Sequence, residues 1–294
     1  MNDYDVIVVG AGVSGLVFAE HAARAGRRVL VIERAGQAGG CLQSWQAMPG
    51  FYVELGAHTA YNSYGALLEV LARRGRLDEL LTRAKAGYHF VTGSGLQSPV
   101  ARLNWPALLA SLPFGVFRSK AGASVRDYYG ALFGADNYAR VLGPAFAAVL
   151  SQPCDDYPAQ WLFRRKPRLK TAPRKYSWPT GLQGLLLALT EAAPFDLRTG
   201  VTVSAVASVA EDAGTPSYRV ETDAGSFSAR TLALATAPDV AAGLLGVAVP
   251  AVSALLDGFP MADIESVAVV LPRERCRLPA LAGLIGVEDD FYSV

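Results

Sequence analysis

The sequence has little charge and no excess of either sign. Charged residues make up 18% of its 294 positions, with 27 basic side chains against 26 acidic ones, whereas about 25% is usual in globular domains. The hydrophobic share of 51% excludes an intrinsically disordered chain. Because a nucleic-acid-binding protein needs a positive excess, the balanced charge also argues against that class.

Cysteine and histidine are scarce as well, with three of each scattered along the chain. An odd number of dispersed cysteines predicts neither a disulfide framework nor a zinc cluster and favours a reducing compartment, so we expect no metal site. Long apolar runs are also missing. The most apolar later segment, 231–259, is interrupted by Pro238 and Pro250, whereas a membrane-spanning helix needs about 20 predominantly apolar residues. Since the N-terminus lacks a signal-peptide pattern, we expect a cytoplasmic protein, with peripheral membrane association left open.

The first 33 residues predict a βαβ unit. Residues 5–9 are continuously apolar, as in a buried parallel strand, and residues 28–33 form the second strand. Between them, Gly10-x-Gly12-x-x-Gly15 lies at a strand-to-helix junction, which is the context that a dinucleotide fingerprint requires. The first glycine permits the tight turn, the second lets the backbone approach a pyrophosphate, and the third allows close packing of helix on strand.

The two ends of this unit supply further candidate contacts. Backbone N–H groups at the start of the helix face the phosphates in such sites, and Ser14 lies in that first turn. Glu33 ends the second strand, where a carboxylate can accept hydrogen bonds from the hydroxyls of an adenosine ribose. The spacing therefore predicts a dinucleotide site.

Glu33-Arg34 is followed by Gly39-Gly40, and this E-R-x-x-x-x-G-G pattern resembles the FAD-dependent amine oxidase and protoporphyrinogen oxidase superfamily. The resemblance implies that FAD is the cofactor and that Arg34, Gly39 and Gly40 lie against its phosphates. These residue types suit that role, because arginine is a bidentate charged donor and glycines allow close approach.

The resemblance extends along nearly the whole chain. Residues 54–58 are similar to the family's second flavin-contacting loop, which implies Gly56 and Ala57 as cofactor contacts. Val203 matches a strand valine whose backbone contacts adenine, and Ala235 lies in a strand end that the family has beside the cofactor. The resemblance identifies no catalytic residue.

Three departures from the family pattern stand out. Cys41 follows the paired glycines, where the family often has arginine or lysine. No lysine occurs after Lys175, which argues against the amine oxidase branch. The family's closing FAD segment has its usual place beyond residue 294, so the sequence leaves open whether this chain retains FAD.

We therefore predict an α/β fold: an FAD-binding Rossmann-like (glutathione reductase-type) βαβ domain with a mostly helical inserted substrate domain. The FAD-binding domain is assigned to 1–75 and 181–238. The substrate-binding region is assigned to 76–180 and 239–294, as a mostly helical insertion plus part of a sheet. Apolar periodicity predicts helices at 63–74, at 124–133 with Ser124 as cap, and at 138–149 with a kink at Pro144. Strands are predicted at 201–209, 218–222, 226–230 and, as a separate strand, 232–235.

The leading functional hypothesis is a protoporphyrinogen oxidase-like, FAD-dependent oxidoreductase that transfers hydride from a hydrophobic or tetrapyrrole-like substrate to the flavin. The alternatives are an FAD-dependent desaturase or isomerase, and a truncated, non-catalytic relative that binds FAD weakly. We expect a small hydrophobic substrate and no nucleic acid as partners, and the oligomeric state is not predicted.

A basic run is the second feature that points to a partner. Seven of the twelve residues from Arg164 to Lys175 are basic. This run can contact anionic lipid headgroups or substrate carboxylates, and a solvated loop is the equally weighted alternative. The candidates for peripheral membrane contact are Arg164, Arg165, Lys166, Arg168 and Lys170.

Overall fold

The fold is described from a computed structural model that covers residues 3–115, 117–210, 216–261, 263–276 and 281–287. The chain forms two compact units. The first comprises the described residues of Met1–Arg83 and Pro167–Val270, and the second those of Ala84–Lys166 and Leu271–Val294. The described residues of segments 76–83, 167–180 and 239–270 thus pack within the first unit, which also contains the glycine fingerprint. The FAD-binding and substrate-binding roles assigned to the sequence ranges stay predictions.

The helices and strands of both units follow one another along the chain. They are β1 (Tyr4–Val9), α1 (Val13–Arg24), β2 (Val29–Glu33), β3 (Ser44–Met48), β4 (Phe51–Glu54), β5 (Ala60–Tyr61), α2 (Gly65–Arg73), β6 (Leu81–Thr82), β7 (Tyr88–Thr92), β8 (Gly95–Gln97), α3 (Trp105–Gly115), α4 (Val125–Phe133), α5 (Ala135–Asn137), α6 (Gly143–Leu150), β9 (Lys175–Ser177), α7 (Gly181–Thr190), β10 (Asp196–Thr199), β11 (Val203–Ala210), β12 (Pro216–Thr222), β13 (Gly225–Leu234), α8 (Pro238–Leu245), α9 (Pro250–Asp257) and β14 (Gly283–Gly286). A π-helical turn, Tyr138–Leu142, joins α5 to α6.

The main sheet of the first unit has the strand order β10-β2-β1-β13-β12-β11. Strands β10, β2, β1 and β13 run parallel, and β12 and β11 continue the sheet in antiparallel pairing. Both faces are covered: Val8 belongs to a core with Leu16 of α1 and Leu185 of α7, and Ile7 to a core with Val220 on the other face. This two-sided burial explains why the first strand is apolar without alternation.

Strand β13 corrects one prediction. The sequence suggested two strands, 226–230 and 232–235, but the structure has one continuous strand, Gly225–Leu234. Its first half pairs antiparallel with β12 and its second half parallel with β1, with Ala229 paired to both neighbours. No glycine or proline separates the halves, so the backbone stays extended while the partner changes.

The helices of the second unit agree with the sequence at one site and correct it at another. Ser124 caps α4, because its Oγ accepts a hydrogen bond from the N–H of Asp127 at 3.0 Å. The helix expected at 138–149 is present within a continuous helical run from Ala135 to Leu150, but its first part is a π-helical turn rather than an α-helix. The π-helical turn ends at Leu142, and α6 begins at Gly143 with Pro144 in its first turn. Proline has no N–H to donate to the preceding turn, and the π-helical turn ends just before it.

The remaining elements are small. In the second unit, β14, β7 and β8 form a three-stranded sheet, with β14 parallel to β7. In the first unit, β3 and β4 form a hairpin, and β9 pairs with β5 and β6. Within the described ranges, every helix is too short or too polar to cross a bilayer.

Candidate dinucleotide-binding site

The glycine fingerprint lies where α1 starts against the ends of β1 and β13. Gly10 has φ +104°, and a Cβ built on it would come within 2.7 Å of the carbonyl oxygen of Ala235. A Cβ on Gly15 would overlap the carbonyl oxygen of Gly10. Both positions therefore require glycine for close packing, which is the geometry that the fingerprint predicts.

The backbone N–H groups at the N-terminus of α1 are not capped by a side chain. Gly12 is the N-cap, no side chain caps it, and the first turn contains no acidic residue. Ser14 is exposed in that turn. The first N–H groups of a helix lack intrahelical acceptors and carry the positive end of the helix dipole. This end of α1 can therefore receive an anion such as a phosphate.

Glu33 is tied to the backbone on both sides of its strand end. Its Oε2 accepts from the N–H of Ala11 at 2.7 Å, and its Oε1 accepts from the N–H of Ala35 at 2.8 Å. The carboxylate thus holds the glycine loop onto the end of β2. A carboxylate has about four lone-pair sites, so it retains acceptor capacity for ribose hydroxyls, and that role stays a prediction.

The paired glycines fold back onto the fingerprint. The N–H of Gly39 donates to the carbonyl oxygen of Ala11 at 3.1 Å. Gly40 has φ +58°, and a Cβ on it would lie 3.1 Å from the Cα of Gly12. The side chain of Arg34, in the same predicted motif, is exposed. Two stretches of side-chain-free backbone therefore meet at the open end of α1.

Two further predicted segments join this loop by backbone hydrogen bonds. The N–H of Ala57 donates to the carbonyl oxygen of Cys41 at 2.9 Å, and a Cβ on Gly56 would overlap that same oxygen. The N–H of Ala235 donates to the carbonyl oxygen of Val9 at 2.8 Å. The structure thus brings together, through these contacts, Gly10, Gly12, Gly15, Glu33, Gly39, Gly40, Gly56, Ala57 and Ala235.

Val203 is less directly placed. It starts β11, the edge strand of the main sheet, and is half-buried. The chain just before it meets Glu33, because the N–H of Val201 donates to the carbonyl oxygen of Glu33 at 3.0 Å. The predicted adenine contact of Val203 is therefore on the side of the site where Glu33 lies.

A side-chain cluster around the start of α7 was not predicted from the sequence. Glu54 accepts from the N–H of Leu182 at 2.8 Å and from the hydroxyl of Ser44 at 2.6 Å. Ser44 in turn accepts from the N–H of Gln183 at 3.0 Å, and Gln183 donates to the carbonyl oxygen of Ala38 at 3.1 Å. This cluster closes the N-terminus of α7 and ties the 38–40 turn to that helix. The only sequence signal was the position of Glu54 in the second flavin-like loop.

Other predicted groups lie apart from this site. Arg164, Arg165 and Lys166 belong to the second unit, Arg168 and Lys170 to the first, and all five are exposed. Across the part of the chain that the structure describes, no group of three or more His, Cys, Asp or Glu side chains is arranged to hold a metal ion.

The fold and loop geometry define a Rossmann-like dinucleotide-binding domain. Residues 8–74 match the family model of the NAD(P)-binding Rossmann-like domain. This match runs from the end of β1 through α1, β2 and the small strands β3, β4 and β5 to the end of α2.

Individual proteins are similar to this chain in part of its sequence or in its fold. An uncharacterized protein of Mycobacterium tuberculosis is 48% identical over 58 residues, which are 20% of this chain and 11% of that protein. The structure of a candidate protoporphyrinogen oxidase from Exiguobacterium sp. 255-15 has a TM-score of 0.65 at 17% identity, over 86% of this chain and 64% of that one. The structure of the CLA-producing fatty acid isomerase from P. acnes has a TM-score of 0.61 at 18% identity, over 82% and 61%.

The chain thus spans about a tenth of this sequence relative and somewhat under two thirds of these solved structures. Similarity at this level of identity shows the fold. The predicted fold class is confirmed as a mixed α/β structure with a Rossmann-like domain, similar in fold to the candidate protoporphyrinogen oxidase structure. The similarity to these solved structures is therefore one of fold, and membership of the amine oxidase and protoporphyrinogen oxidase superfamily stays a prediction.

Proposed function

We propose that this chain binds FAD and belongs to an FAD-dependent oxidoreductase of protoporphyrinogen oxidase-like type. The observation that carries the proposal is the contact of the Gly39-Gly40 turn with the fingerprint at Ala11 and Gly12. A dinucleotide fingerprint alone does not separate FAD from NAD. The second glycine turn, arranged as the E-R-x-x-x-x-G-G pattern implies, favours FAD.

The residues present fit such a cofactor. The open N–H groups of α1 and the bare backbone at Gly12 and Gly40 suit a pyrophosphate, and Glu33 suits the adenosine ribose. Arg34 is exposed and is a charged donor of the type that binds phosphate. The loop at Gly56 is on the Cys41 side of the same turn and suits the flavin half. When bound, flavin supplies the redox chemistry by accepting a hydride, and the protein binds and orients the substrate.

The substrate is proposed to be a hydrophobic or tetrapyrrole-like small molecule. An isomerase that uses FAD without net oxidation is the second candidate, and the fold similarity to a fatty acid isomerase supports keeping it. A desaturase is a third member of the same chemical group. Reduction of bound flavin by a donor under anaerobic conditions favours an oxidase or desaturase, and turnover with flavin that stays oxidised favours the isomerase.

Gly12→Ala tests the cofactor proposal without breaking the fold. Gly12 has φ −75° and ψ −179°, and a Cβ on it would meet only the Cα of Gly40, at an ordinary 3.8 Å. The added methyl nevertheless lies at the second fingerprint glycine, where a bare backbone is needed for a pyrophosphate to approach. We expect the purified wild-type protein, incubated with FAD and passed through gel filtration, to carry oxidised-flavin absorbance that Gly12→Ala loses.

The matched control is Gly36→Ala. Gly36 has nothing within 4 Å of a built Cβ and lies in the same 33–40 loop. It should keep the flavin absorbance and the wild-type circular dichroism spectrum. A wild-type protein that stays colourless with excess FAD contradicts the proposal, and uptake of NAD alone assigns the site to nicotinamide cofactors instead.

We also propose peripheral contact of the exposed residues Arg164, Arg165 and Lys166 with anionic lipid, supported by their exposure and charge.

A further inference from the structure

The second unit contains an open cavity of about 830 Å³ between α4, the π-helical turn, α6 and residues 153–155. Ligand pockets usually have volumes of about 300–1,000 Å³. Eight of its thirteen lining residues are glycine, alanine or proline: Gly130, Ala131, Ala135, Ala139, Gly143, Pro144, Ala147 and Pro153. These side chains carry no polar group, so the wall suits an apolar body.

One end of the cavity is polar. The hydroxyl of Tyr138 donates to Oδ1 of Asp155 at 2.6 Å, and Arg126 forms an ion pair with the other oxygen of the same carboxylate. The thiol of Cys154 donates to the carbonyl oxygen of Gly143 at 3.4 Å and lies 3.5 Å from the Tyr138 hydroxyl. Tyr138 is 5% exposed and Cys154 2%, so both groups form the floor of the cavity.

Tyr138 stays neutral there. Burial raises the pKa of its phenol well above the usual range, and the adjacent Cys154 and the negative charge of Asp156 raise it further, against a smaller opposite effect of Arg126. The phenol is therefore a hydrogen-bond donor fixed on Asp155. It does not add a negative charge to the cavity.

The cavity forms at the π-helical turn. Tyr138 begins that turn, and Gly143, the first residue of α6, packs against it: a Cβ on Gly143 would lie 3.1 Å from the carbonyl oxygen of Tyr138. π-helical turns are rare and occur frequently at functional sites. This π-helical turn could simply join two helices, but such a junction would not require the polar side chains of Tyr138, Cys154 and Asp155 beside it.

The charged residues that line the cavity favour a positively charged ligand. Arg126 is already paired with Asp155, and Asp127 adds a second carboxylate to the lining. The lining thus contains two carboxylates and one guanidinium, a formal charge of −1. A cation with an apolar body matches this combination, whereas a carboxylate would be repelled.

We propose that this cavity binds a small apolar molecule carrying one ammonium group, with the ammonium at Asp127 and Asp155 and the apolar body along the glycine and alanine wall. This binding site is distinct from the dinucleotide site, and the proposal does not depend on flavin chemistry.

The test uses three probes with one body: 2-phenylethylamine, 2-phenylethanol and 3-phenylpropionate, titrated into the full chain by isothermal calorimetry. We expect saturable binding of the amine, with the alcohol and the carboxylate at least about tenfold weaker, since a charge-assisted hydrogen bond contributes at least about 1.4 kcal/mol. No saturable binding of the amine, or equal binding of all three probes, overturns the proposal.

Two variants locate the site. Asp127→Asn removes one exposed charge and should weaken the amine by up to about fivefold while leaving the alcohol unchanged. Ala139→Leu fills the cavity from its exposed wall and should weaken all three probes. The matched controls are Asp136→Asn and Ala110→Leu, an exposed carboxylate and an exposed helical alanine of the same unit that do not line the cavity. Amine binding that both lining variants leave unchanged, with circular dichroism confirming their fold, also overturns the proposal.

Discussion

Glu20 shows how one residue of the first unit is held by its charges. It lies in α1 with a side chain that is 2% exposed, and it pairs with Arg74 at 2.5 Å and Arg24 at 2.7 Å. Burial alone raises the pKa of this carboxyl, but the hydrogen bonds and charges of Arg74 and Arg24 outweigh it and hold the pKa below its usual 4.5. The ion pair between Glu20 and Arg74 links α1 to the residue that follows α2.

Glu20→Gln should therefore destabilise the protein in a pH-dependent way. At pH 7 we expect a loss of about 2 kcal/mol in the free energy of unfolding, less than for a fully buried pair because Arg24 is half-exposed. The folded-state pKa is lowered, so the wild-type advantage is present above about pH 4.5 and shrinks as the pH falls through the folded-state pKa.

Urea unfolding at pH 7 and at pH 3.5 measures this difference. Glu69→Gln is the control, because Glu69 forms an exposed pair with Arg73 on α2 and its loss should leave the unfolding midpoint nearly unchanged. A Glu20→Gln deficit that is equally large at both pH values contradicts the explanation by charge.

The carboxylate of Glu33 shapes the glycine loop through two hydrogen bonds. Glu33→Gln keeps the side-chain size but replaces one of two acceptors for Ala11 and Ala35 N–H groups with a donor. We expect FAD affinity to fall about tenfold, because hydrogen bonds to a charged group are worth about 1.5–3 kcal/mol. Fluorescence titration with FAD checks this, and unchanged affinity would mean that the carboxylate is not needed to shape the loop.

At the scale of the element, the cap of α4 was predictable from the sequence and can be measured. Ser124→Ala removes the acceptor for the Asp127 N–H and should cost about 1 kcal/mol of stability. Ser124→Thr keeps an acceptor oxygen and should cost much less. Thermal unfolding followed by circular dichroism compares them, and equal losses in the two variants would rule out the cap as the cause.

Some of the elements could be predicted from the sequence, and others could not. The βαβ unit was predictable because a glycine fingerprint, an apolar strand and a terminal acid recur at fixed spacing. The partner change within β13 was not, since local propensity does not record which strand lies beside a given residue. The π-helical turn was not predicted, because the apolar periodicity of 138–149 indicates a helix and does not distinguish an α-helical turn from a π-helical one. Likewise, the Ser44–Glu54–Gln183 cluster joins segments far apart in sequence.

At the scale of the whole molecule, the basic run gives a prediction about lipid surfaces. Arg164→Glu combined with Arg165→Glu should reduce cosedimentation with phosphatidylserine vesicles about thirtyfold or more, because each basic residue near an anionic surface contributes about 1 kcal/mol. Phosphatidylcholine vesicles and high salt should abolish wild-type binding.

Arg219→Glu combined with Arg230→Glu is the charge-matched control. Both arginines are exposed on the first unit, and their reversal changes the net charge by the same amount. Equal losses in the two double variants would reduce the effect to overall charge and remove the case for a specific lipid-contacting run.

The pairing of β1 with β13 has a consequence for biogenesis. Asp3 and Ser228 are hydrogen-bonded although they are 225 positions apart, and the N–H of Ala235 closes the glycine turn on Val9. Contacts of such long sequence separation slow folding, and the first strands of a nascent chain leave the ribosome long before their partner is made. The glycine turn after β1 therefore cannot close on β13 until Ala235 has been translated, and until then the apolar strand β1 lacks the neighbour that buries one of its edges.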